Sequence, residues 1–331
     1  MSTENTIKGR GLLSGVTTDR PALAAALLVA SLFMLSLQDG LVKLVSGDVS
    51  LWQFQLLRAA INLALLLLLT RAIWGRASPR PKRLWAVALR SAFLVTFVVF
   101  LFGGVPFLSL AEIAAGLYVF PLFVAVLSAL LLGERVGPRR VIMILIGFGG
   151  TLLILKPGTD AFKPVGLMPI CAGLCYAGVV LTTRRLCREE SAVTLAFGVA
   201  VALLTVGAAG LAVFSILDPG PWAADWPYLF TAWHPLDLAV VGLIAAASCL
   251  NLTATVTLAR AYQSAESSWL VPFDYSYLIF ATFWGLVLWG HIPDGLTFLG
   301  MAMIAGAGVF VAWRERQESR QRGTREIETL R

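Results

Sequence analysis

Two features of one apolar stretch could support chemistry inside a membrane. The run SSWLVPFDYSYLIFATFWGLVLWG (267–290) carries Asp274 two residues after Pro272. Counted from the start of the run, Asp274 lies about 12 Å into an apolar layer that is about 30 Å thick. An ionised side chain is costly at that depth, so we predict that Asp274 binds and releases a proton. The structural alternative is a hydrogen bond to Asn251 or Thr253 on the preceding apolar run.

Aromatic rings and a helix-breaking proline accompany this acid. Pro272 cannot donate a backbone hydrogen bond, so it frees carbonyls that are tolerated only against protein or a water-filled cavity. The run YVFPLF (118–123) repeats the combination around Pro121. Flat rings can stack on a planar solute or lie over a cation. We therefore expect a solute site, with proton coupling at Asp274, that is formed by Tyr118, Asn251, Trp269, Asp274, Tyr275 and Tyr277.

A second group of charges lies nearer the opposite face of the membrane. Asp39 and Lys43, in LQDGLVKLV (37–45), are four residues apart on one helical face, where they can form an ion pair. Arg58 lies about 10 Å into the next apolar run. One interpretation is a neutralised salt bridge in which Lys43 reaches toward the lipid headgroups. The other adds all three residues to the solute site, because two cations against one anion leave a positive charge for a carboxylate or phosphate.

The composition identifies the elements that must position these residues. Of the 331 residues, 58% are apolar and 14% are charged, whereas a soluble domain has about 25% charged residues. The sequence therefore predicts an all-α integral membrane protein. Apolar runs of membrane-spanning length predict ten transmembrane helices, at about 21–45, 51–73, 84–104, 110–132, 139–155, 165–185, 192–216, 236–260, 267–289 and 295–313.

The distribution of lysine and arginine orients these spans. The net charge is +7, but the basic residues lie in short clusters between apolar runs, which argues against nucleic-acid binding. Nearly all of the loop residues of this type fall in alternate loops, and only Lys156 and Lys163 fall in the loops between them. The positive-inside rule then predicts an even number of spans with both termini in the cytoplasm.

The sequence also contains an internal repeat. LLGERVGPRRVIMILIGFGGTLLI (131–154) resembles LWGHIPDGLTFLGMAMIAGAGVFV (288–311), because each joins an apolar run ending in Leu-x-Gly to a glycine-bearing run. Five spans per half is an odd number, so the halves have opposite orientations, an arrangement that suits alternating access. We expect a cytoplasmic N-terminal tail, two inverted five-helix repeats and a basic cytoplasmic C-terminal tail, at 1–20, 21–158, 159–313 and 314–331.

These motifs together resemble a known family. AEIAAGLYVFPLFVAVLSALLLGERVGPRRVIMILIGFGGTLLILKPG (111–158), LQDGLVK with Arg58, and the run from 265 to 316 are similar to the bacterial EamA group of the drug/metabolite transporter superfamily. The resemblance implies ten helices in two inverted repeats, a central solute cavity and no ATP hydrolysis. Within the superfamily the pattern is similar to members that carry riboflavin or S-adenosylmethionine, and more distantly to amino-acid exporters. His291 departs from the pattern, since many members carry a glutamate there that matches Glu134.

We therefore expect a secondary transporter that moves a small organic metabolite across the inner (plasma) membrane of a bacterium. The solute would be aromatic, heterocyclic or amino-acid-like, such as a riboflavin- or S-adenosylmethionine-type compound, and transport would be linked to protons. The expected partners are this solute and membrane lipid, without cofactor, metal or nucleic acid, and a homodimer is left open. The alternative is a membrane-embedded enzyme that acts on a lipid. Neither H-E-x-x-H nor G-x-S-x-G occurs, and the histidines are His234 and His291, both in loops.

Overall fold

The protein is helical throughout the part that can be described. A computed structural model describes residues 21–73, 80–132, 138–157, 159, 163–217, 219–264 and 267–329, and no strand occurs among them. The helices of the first half are α1 (Pro21–Val45), α2 (Leu51–Ile73), α3 (Leu84–Gly103), α4 (Leu110–Leu117), α5 (Phe120–Leu132) and α6 (Pro138–Leu155).

The second half begins with a 3₁₀ turn at Pro164–Gly166. Its long helices are α7 (Leu167–Arg185), α8 (Ala192–Ile216), α11 (Leu238–Ser264), α12 (Ser267–Asp274), α13 (Ser276–Trp289) and α14 (Gly295–Thr329). Two short helices, α9 (Pro221–Asp225) and α10 (Pro227–Phe230), lie between α8 and α11. The predicted loop 217–237 therefore contains two helical turns.

The helices are long and apolar enough for a multi-pass membrane protein. Among the described residues, seven segments could cross a bilayer by length and composition: Ala22–Val45, Leu51–Arg71, Leu84–Gly103, Leu110–Leu131, Pro164–Arg185, Ala192–Ile216 and Leu238–Tyr262. Val141–Leu155 and Gly295–Phe310 are shorter apolar helices, and α12 and α13 are separated by a break. An all-α membrane fold is thus confirmed, and the count of ten spans stays a prediction.

Two of the predicted spans are interrupted near their middle. The fourth starts with a capping box, in which the Ser109 hydroxyl accepts from Glu112 N and the Glu112 carboxylate accepts from Ser109 N. It breaks after Leu117 and resumes as α5, whose second residue is Pro121. Proline is tolerated in the first turn of a helix because no intrahelical N–H is needed there. The ninth span breaks between α12 and α13, one residue after Asp274.

The helices pack in a pattern that two similar halves would produce. Helix α1 packs on α11, and α3 packs on α7; α2 packs on α8, and α6 packs on α14. If each of the first five predicted spans is exchanged with its counterpart in the last five, α1 corresponds to α7 and α3 corresponds to α11. The α1–α11 pair then becomes the α7–α3 pair. The same exchange leaves the α2–α8 and α6–α14 pairs unchanged.

Glycine allows the closest of these approaches. A Cβ on Gly150 of α6 would lie 2.6 Å from the carbonyl oxygen of Gly300 on α14, and a Cβ on Gly300 would lie 2.5 Å from the oxygen of Gly150. Small residues bring helices together in lipid, where apolar burial gives little driving force. The two helices that carry the sequence repeat are therefore in backbone contact.

Candidate functional site

The two helix breaks meet at the centre of the protein. The Tyr118 hydroxyl, at the first break, donates a hydrogen bond of 2.9 Å to the carbonyl oxygen of Asp274, at the second. The rings of Tyr118 and Tyr277 stack, with centroids 5.3 Å apart and planes 16° from parallel. Tyr275 lies 5.5 Å from Tyr118, and all three tyrosines are buried. Four residues predicted from the sequence thus form one cluster, which we call the tyrosine cluster.

The Asp274 side chain has a partner that the sequence did not reveal. The hydroxyl of Tyr262, near the end of α11, donates a hydrogen bond of 2.5 Å to Oδ2 of Asp274. The structural alternative, a bond from Asp274 to the preceding helix, is therefore present, but its donor is Tyr262 and not Asn251, whose Nδ2 donates to Oε1 of Gln38 at 3.0 Å. Thr253 is exposed, and its carbonyl oxygen accepts from Thr257. Asp274 therefore joins α11 to the break between α12 and α13.

Asp39 is joined to the same cluster through Tyr277. Its carboxylate accepts a hydrogen bond from the Tyr277 hydroxyl and another, of 2.9 Å, from Nε2 of Gln38. Because Gln38 also accepts from Asn251, a hydrogen-bonded chain runs from α11 through α1 to α13. Each of the two stacked rings thus bonds to an aspartate, Tyr277 to the Asp39 carboxylate and Tyr118 to the Asp274 backbone carbonyl.

Lys43 does not bond to Asp39, although the four-residue spacing allows it. Its ammonium donates to the carbonyl oxygens of Val105 at 2.9 Å and Leu108 at 2.5 Å, in the connection between α3 and α4. These carbonyls follow the end of α3, where backbone acceptors have no helical partner. The Nζ atom also lies 5.5 Å from the centre of the Trp289 ring. Lys43 therefore holds the α3–α4 connection, and its contact with a solute stays a prediction.

Arg58 is buried in the core with incomplete hydrogen bonding. Its Cζ lies 5.9 Å from the ring centre of Phe54 and 5.5 Å from that of Phe102. It interacts electrostatically with Asp39 and Tyr228. In the part of the chain that the structure describes, its Nε and Nη1 atoms have no hydrogen-bond partner. A buried cation with free donors is suited to an anionic group.

A cavity about the size of one water molecule lies away from the tyrosine cluster, and its lining includes Glu112, Thr151 and Lys163. The described residues contain no group of three or more His, Cys, Asp or Glu side chains that could hold a metal. Trp269 lies on α12, but its side chain is outside the described residues.

Five polar side chains escaped the sequence prediction: Gln38 and Tyr262, which bond to Asp39 and Asp274, and Gln55, Asn62 and Tyr228, which have unpaired atoms among the described residues. Four of them are uncharged polar residues within or at the end of apolar spans, so polarity inside a span is the signal that could have found them. Tyr228 lies instead in the segment between α8 and α11. It is 2% exposed, and no local pattern distinguishes it from the other aromatic residues of that loop.

The sequence is similar to several bacterial transporters. A riboflavin transporter of Vibrio cholerae serotype O1 is 31% identical over 61% of this chain and 62% of that protein. A pseudopaline exporter of Pseudomonas aeruginosa is 27% identical over 85% of this chain and 93% of that protein. An S-adenosylmethionine uptake transporter of Rickettsia bellii is 24% identical over 60% and 62%. The matches thus span about three fifths of the length of the riboflavin and S-adenosylmethionine transporters.

The fold also has a counterpart among solved structures. A crystal structure of a protein that is 18% identical in sequence superimposes with a TM-score of 0.57, over 90% of this chain and 99% of the other. Residues 22–156 match the EamA-like transporter family. The match covers the first of the two predicted repeats and includes Asp39, Arg58 and Tyr118. The first half of the chain therefore matches the EamA-like transporter family, and the relatives that the chain resembles are named as transporters of small molecules.

Proposed function

We propose that this protein is a secondary transporter that carries a small organic metabolite across the bacterial inner membrane by alternating access. In this proposal ten helices form two inverted five-helix repeats, 21–158 and 159–313, and both termini are cytoplasmic. The two halves rock against each other about a central solute site. The packing of α1 on α11 and of α3 on α7, which the exchange of halves interconverts, supports this arrangement.

The observation that carries the proposal is the meeting of the two broken helices at the tyrosine cluster. Interrupted helices at corresponding positions of two repeats mark the solute site in many secondary transporters. Here the interruptions bring three aromatic rings and the backbone carbonyl of Asp274 together. A planar ring that entered between Tyr118 and Tyr277 would replace their mutual stacking with two equivalent contacts. We propose an aromatic or heterocyclic solute on this basis, and the names of the riboflavin and S-adenosylmethionine transporters agree with it.

Proton coupling is assigned to Asp274. Its carboxylate is partly buried, close to the predicted midplane, and bonds to a neutral tyrosine hydroxyl rather than to a cation. A neutral donor can remain bonded when the acid gains a proton, because the protonated carboxyl keeps acceptor capacity. Protonation can therefore change the charge at the break without dismantling the contact to α11.

Solute flux in reconstituted vesicles tests both parts of the proposal. The wild-type protein should move a riboflavin- or S-adenosylmethionine-type solute, and an imposed pH gradient should change the rate. Asp274→Asn should keep the protein folded, with a thermal unfolding midpoint close to that of the wild type, and should abolish the response to the gradient. A response that is unchanged in Asp274→Asn would remove the residue from the coupling role. Turnover of a lipid without net flux of any solute would instead support the enzyme alternative.

A further inference from the structure

Helix α2 carries a row of polar side chains within an apolar span. Gln55, Arg58 and Asn62 are spaced by three and four residues, so they lie on one face of the helix, one above the other. The helix packs mainly on α8 and α11. We call these three residues the α2 polar stripe. Neither the sequence repeat nor the tyrosine cluster explains why this face of an apolar helix is polar.

The stripe is mostly buried, and several of its hydrogen-bonding atoms have no partner. Gln55 is 3% exposed and Arg58 is 7% exposed. Within the described part of the chain, both amide atoms of Gln55, two guanidinium nitrogens of Arg58 and the amide oxygen of Asn62 have no partner. Native proteins pair nearly all such groups, and each exception requires an explanation.

Another glutamine on the same helix shows that the fold can satisfy such a group. Gln53 is fully buried, and both of its amide atoms bond to the backbone of His234, with Nε2 donating to the carbonyl at 2.9 Å and Oε1 accepting from the N–H at 3.0 Å. Gln55 lies two residues further along and has no corresponding contact. The difference indicates that the free groups of the stripe are available to a partner from outside the chain.

A fourth residue with an unpaired group comes from the segment between α8 and α11. Tyr228 of α10 is 2% exposed, and its hydroxyl has no partner among the described residues. The loop is fixed to α2 by a hydrogen bond of 2.7 Å from Trp52 Nε1 to the carbonyl of Leu229. Because Tyr228 lies within electrostatic range of Arg58, two separate elements bring free donors into the same region.

The chemistry of the free groups defines what they bind. Arg58 supplies a positive charge and N–H donors, Gln55 supplies an amide donor, and Tyr228 supplies a hydroxyl donor. The carboxylate of Asp39 accepts from Tyr277 and Gln38, and the Nε and Nη1 donors of Arg58 have no partner among the described residues. We infer that Gln55, Arg58 and Tyr228 bind a carboxylate group of the transported solute, whose ring lies at the tyrosine cluster. This inference rests on the proposed transport function and narrows the solute to an aromatic or heterocyclic carboxylate, a class that includes the S-adenosylmethionine type but not the riboflavin type.

Matched pairs of small molecules and matched variants test the inference. The probes are benzoate, 3-phenylpropionate and indole-3-propionate, each compared with its neutral amide, and the readout is the thermal shift of the full-length protein in lipid nanodiscs. A bound probe raises the unfolding midpoint by mass action. In the wild type, at least one carboxylate should bind about tenfold more tightly than its amide, a factor within the strength of charge-assisted hydrogen bonds. Equal affinity for acid and amide in all three pairs would overturn the inference.

The variants Gln55→Leu and Gln53→Leu distinguish a binding role from a structural one. Gln55→Leu should lose most of the preference for the carboxylate but keep or raise the midpoint of the unliganded protein, because it removes a buried group that has no partner. Gln53→Leu should lower the unliganded midpoint, because it leaves the His234 backbone unpaired. A lower unliganded midpoint in Gln55→Leu, or an undiminished preference, would overturn the assignment. Flux of the bound carboxylate that is equal in wild type and Gln55→Leu would do so as well, while the transport function would stand.

Discussion

The Tyr275 ring, at the break between α12 and α13, can occupy its position only because Gly308 of α14 has no side chain. A Cβ placed on Gly308 would lie 1.5 Å from the Tyr275 hydroxyl oxygen and 2.2 Å from its Cζ. The ring is 7% exposed, so it cannot swing freely into solvent. Gly308→Ala should therefore push Tyr275 out of its position. Gly306 is the matched control, because a Cβ there meets nothing within 4 Å on the same helix.

The expected loss of stability follows from comparing Gly308→Ala with Gly306→Ala. An ordinary van der Waals contact begins near 3.4 Å, so the hydroxyl oxygen at 1.5 Å must move by about 2 Å. Overpacking of this kind costs about 1–3 kcal/mol. Each Gly→Ala change also favours the helix by up to about 1 kcal/mol, and this gain is common to both variants. Gly308→Ala should thus be less stable than Gly306→Ala by about 1–3 kcal/mol.

Reversible unfolding in mixed detergent micelles measures this difference, and vesicle flux measures its consequence. Because Tyr275 contacts Tyr118, we expect Gly308→Ala to slow transport while Gly306→Ala transports like the wild type. A double-mutant cycle with Tyr275→Ala should show a coupling of about 1–3 kcal/mol, since removal of the ring removes the clash. Equal stability and equal flux of the two alanine variants would refute the reasoning.

Two further contacts on the α6–α14 side allow similar tests. Gly150→Ala should lower the free energy of unfolding by about 1–3 kcal/mol, because its Cβ would meet the Gly300 carbonyl oxygen at 2.6 Å, whereas Gly149→Ala meets a methionine methyl at 3.4 Å and should be tolerated. The hydrogen bond from Lys156 is the main cause that lowers the pKa of Asp294 to about 2. A lowered pKa stabilises the fold above about pH 4 and loses this effect as the pH falls toward about 2. The pair is exposed and contributes at most about 1 kcal/mol, so Lys156→Gln should lower the unfolding midpoint slightly at about pH 5 and by less at about pH 3.

The breaks in the helices could be predicted because their cause is local. Pro121 follows the interruption at 118–119 by two residues, as expected when a proline disturbs the preceding turn. Pro272 lies inside α12, three residues before the interruption at 275, so the sequence indicates a break near this proline but not its position. A proline removes a donor from its own helix and disturbs the preceding turn, whatever packs against it. The apolar runs are local in the same sense, so most helix boundaries agree with the sequence prediction within a few residues. Long-range packing was needed to show that the two breaks meet.

The partners of the polar side chains could not be predicted, because they come from distant parts of the chain. Asp39 bonds to a tyrosine 238 residues away, and Asn251 bonds to a glutamine 213 residues away. The i, i+4 spacing of Asp39 and Lys43 correctly indicates a shared face, but it does not state which groups oppose that face. Here the α3–α4 connection accepts hydrogen bonds from Lys43 and the start of α13 donates one to Asp39, and the ion pair that the spacing allows does not form.

Polar side chains without a partner in the fold constrain the chemistry of the solute more strongly than paired ones do. Each polar side chain that found a distant partner, such as Asp39 or Gln53, is accounted for by the fold and places little constraint on a ligand. Gln55, Arg58 and Tyr228 are buried as deeply and have free donors. A membrane interior offers no water to satisfy such groups unless a cavity reaches them. If these groups bind the solute, as proposed, a solute that satisfies their donors should bind best to the conformation that exposes them.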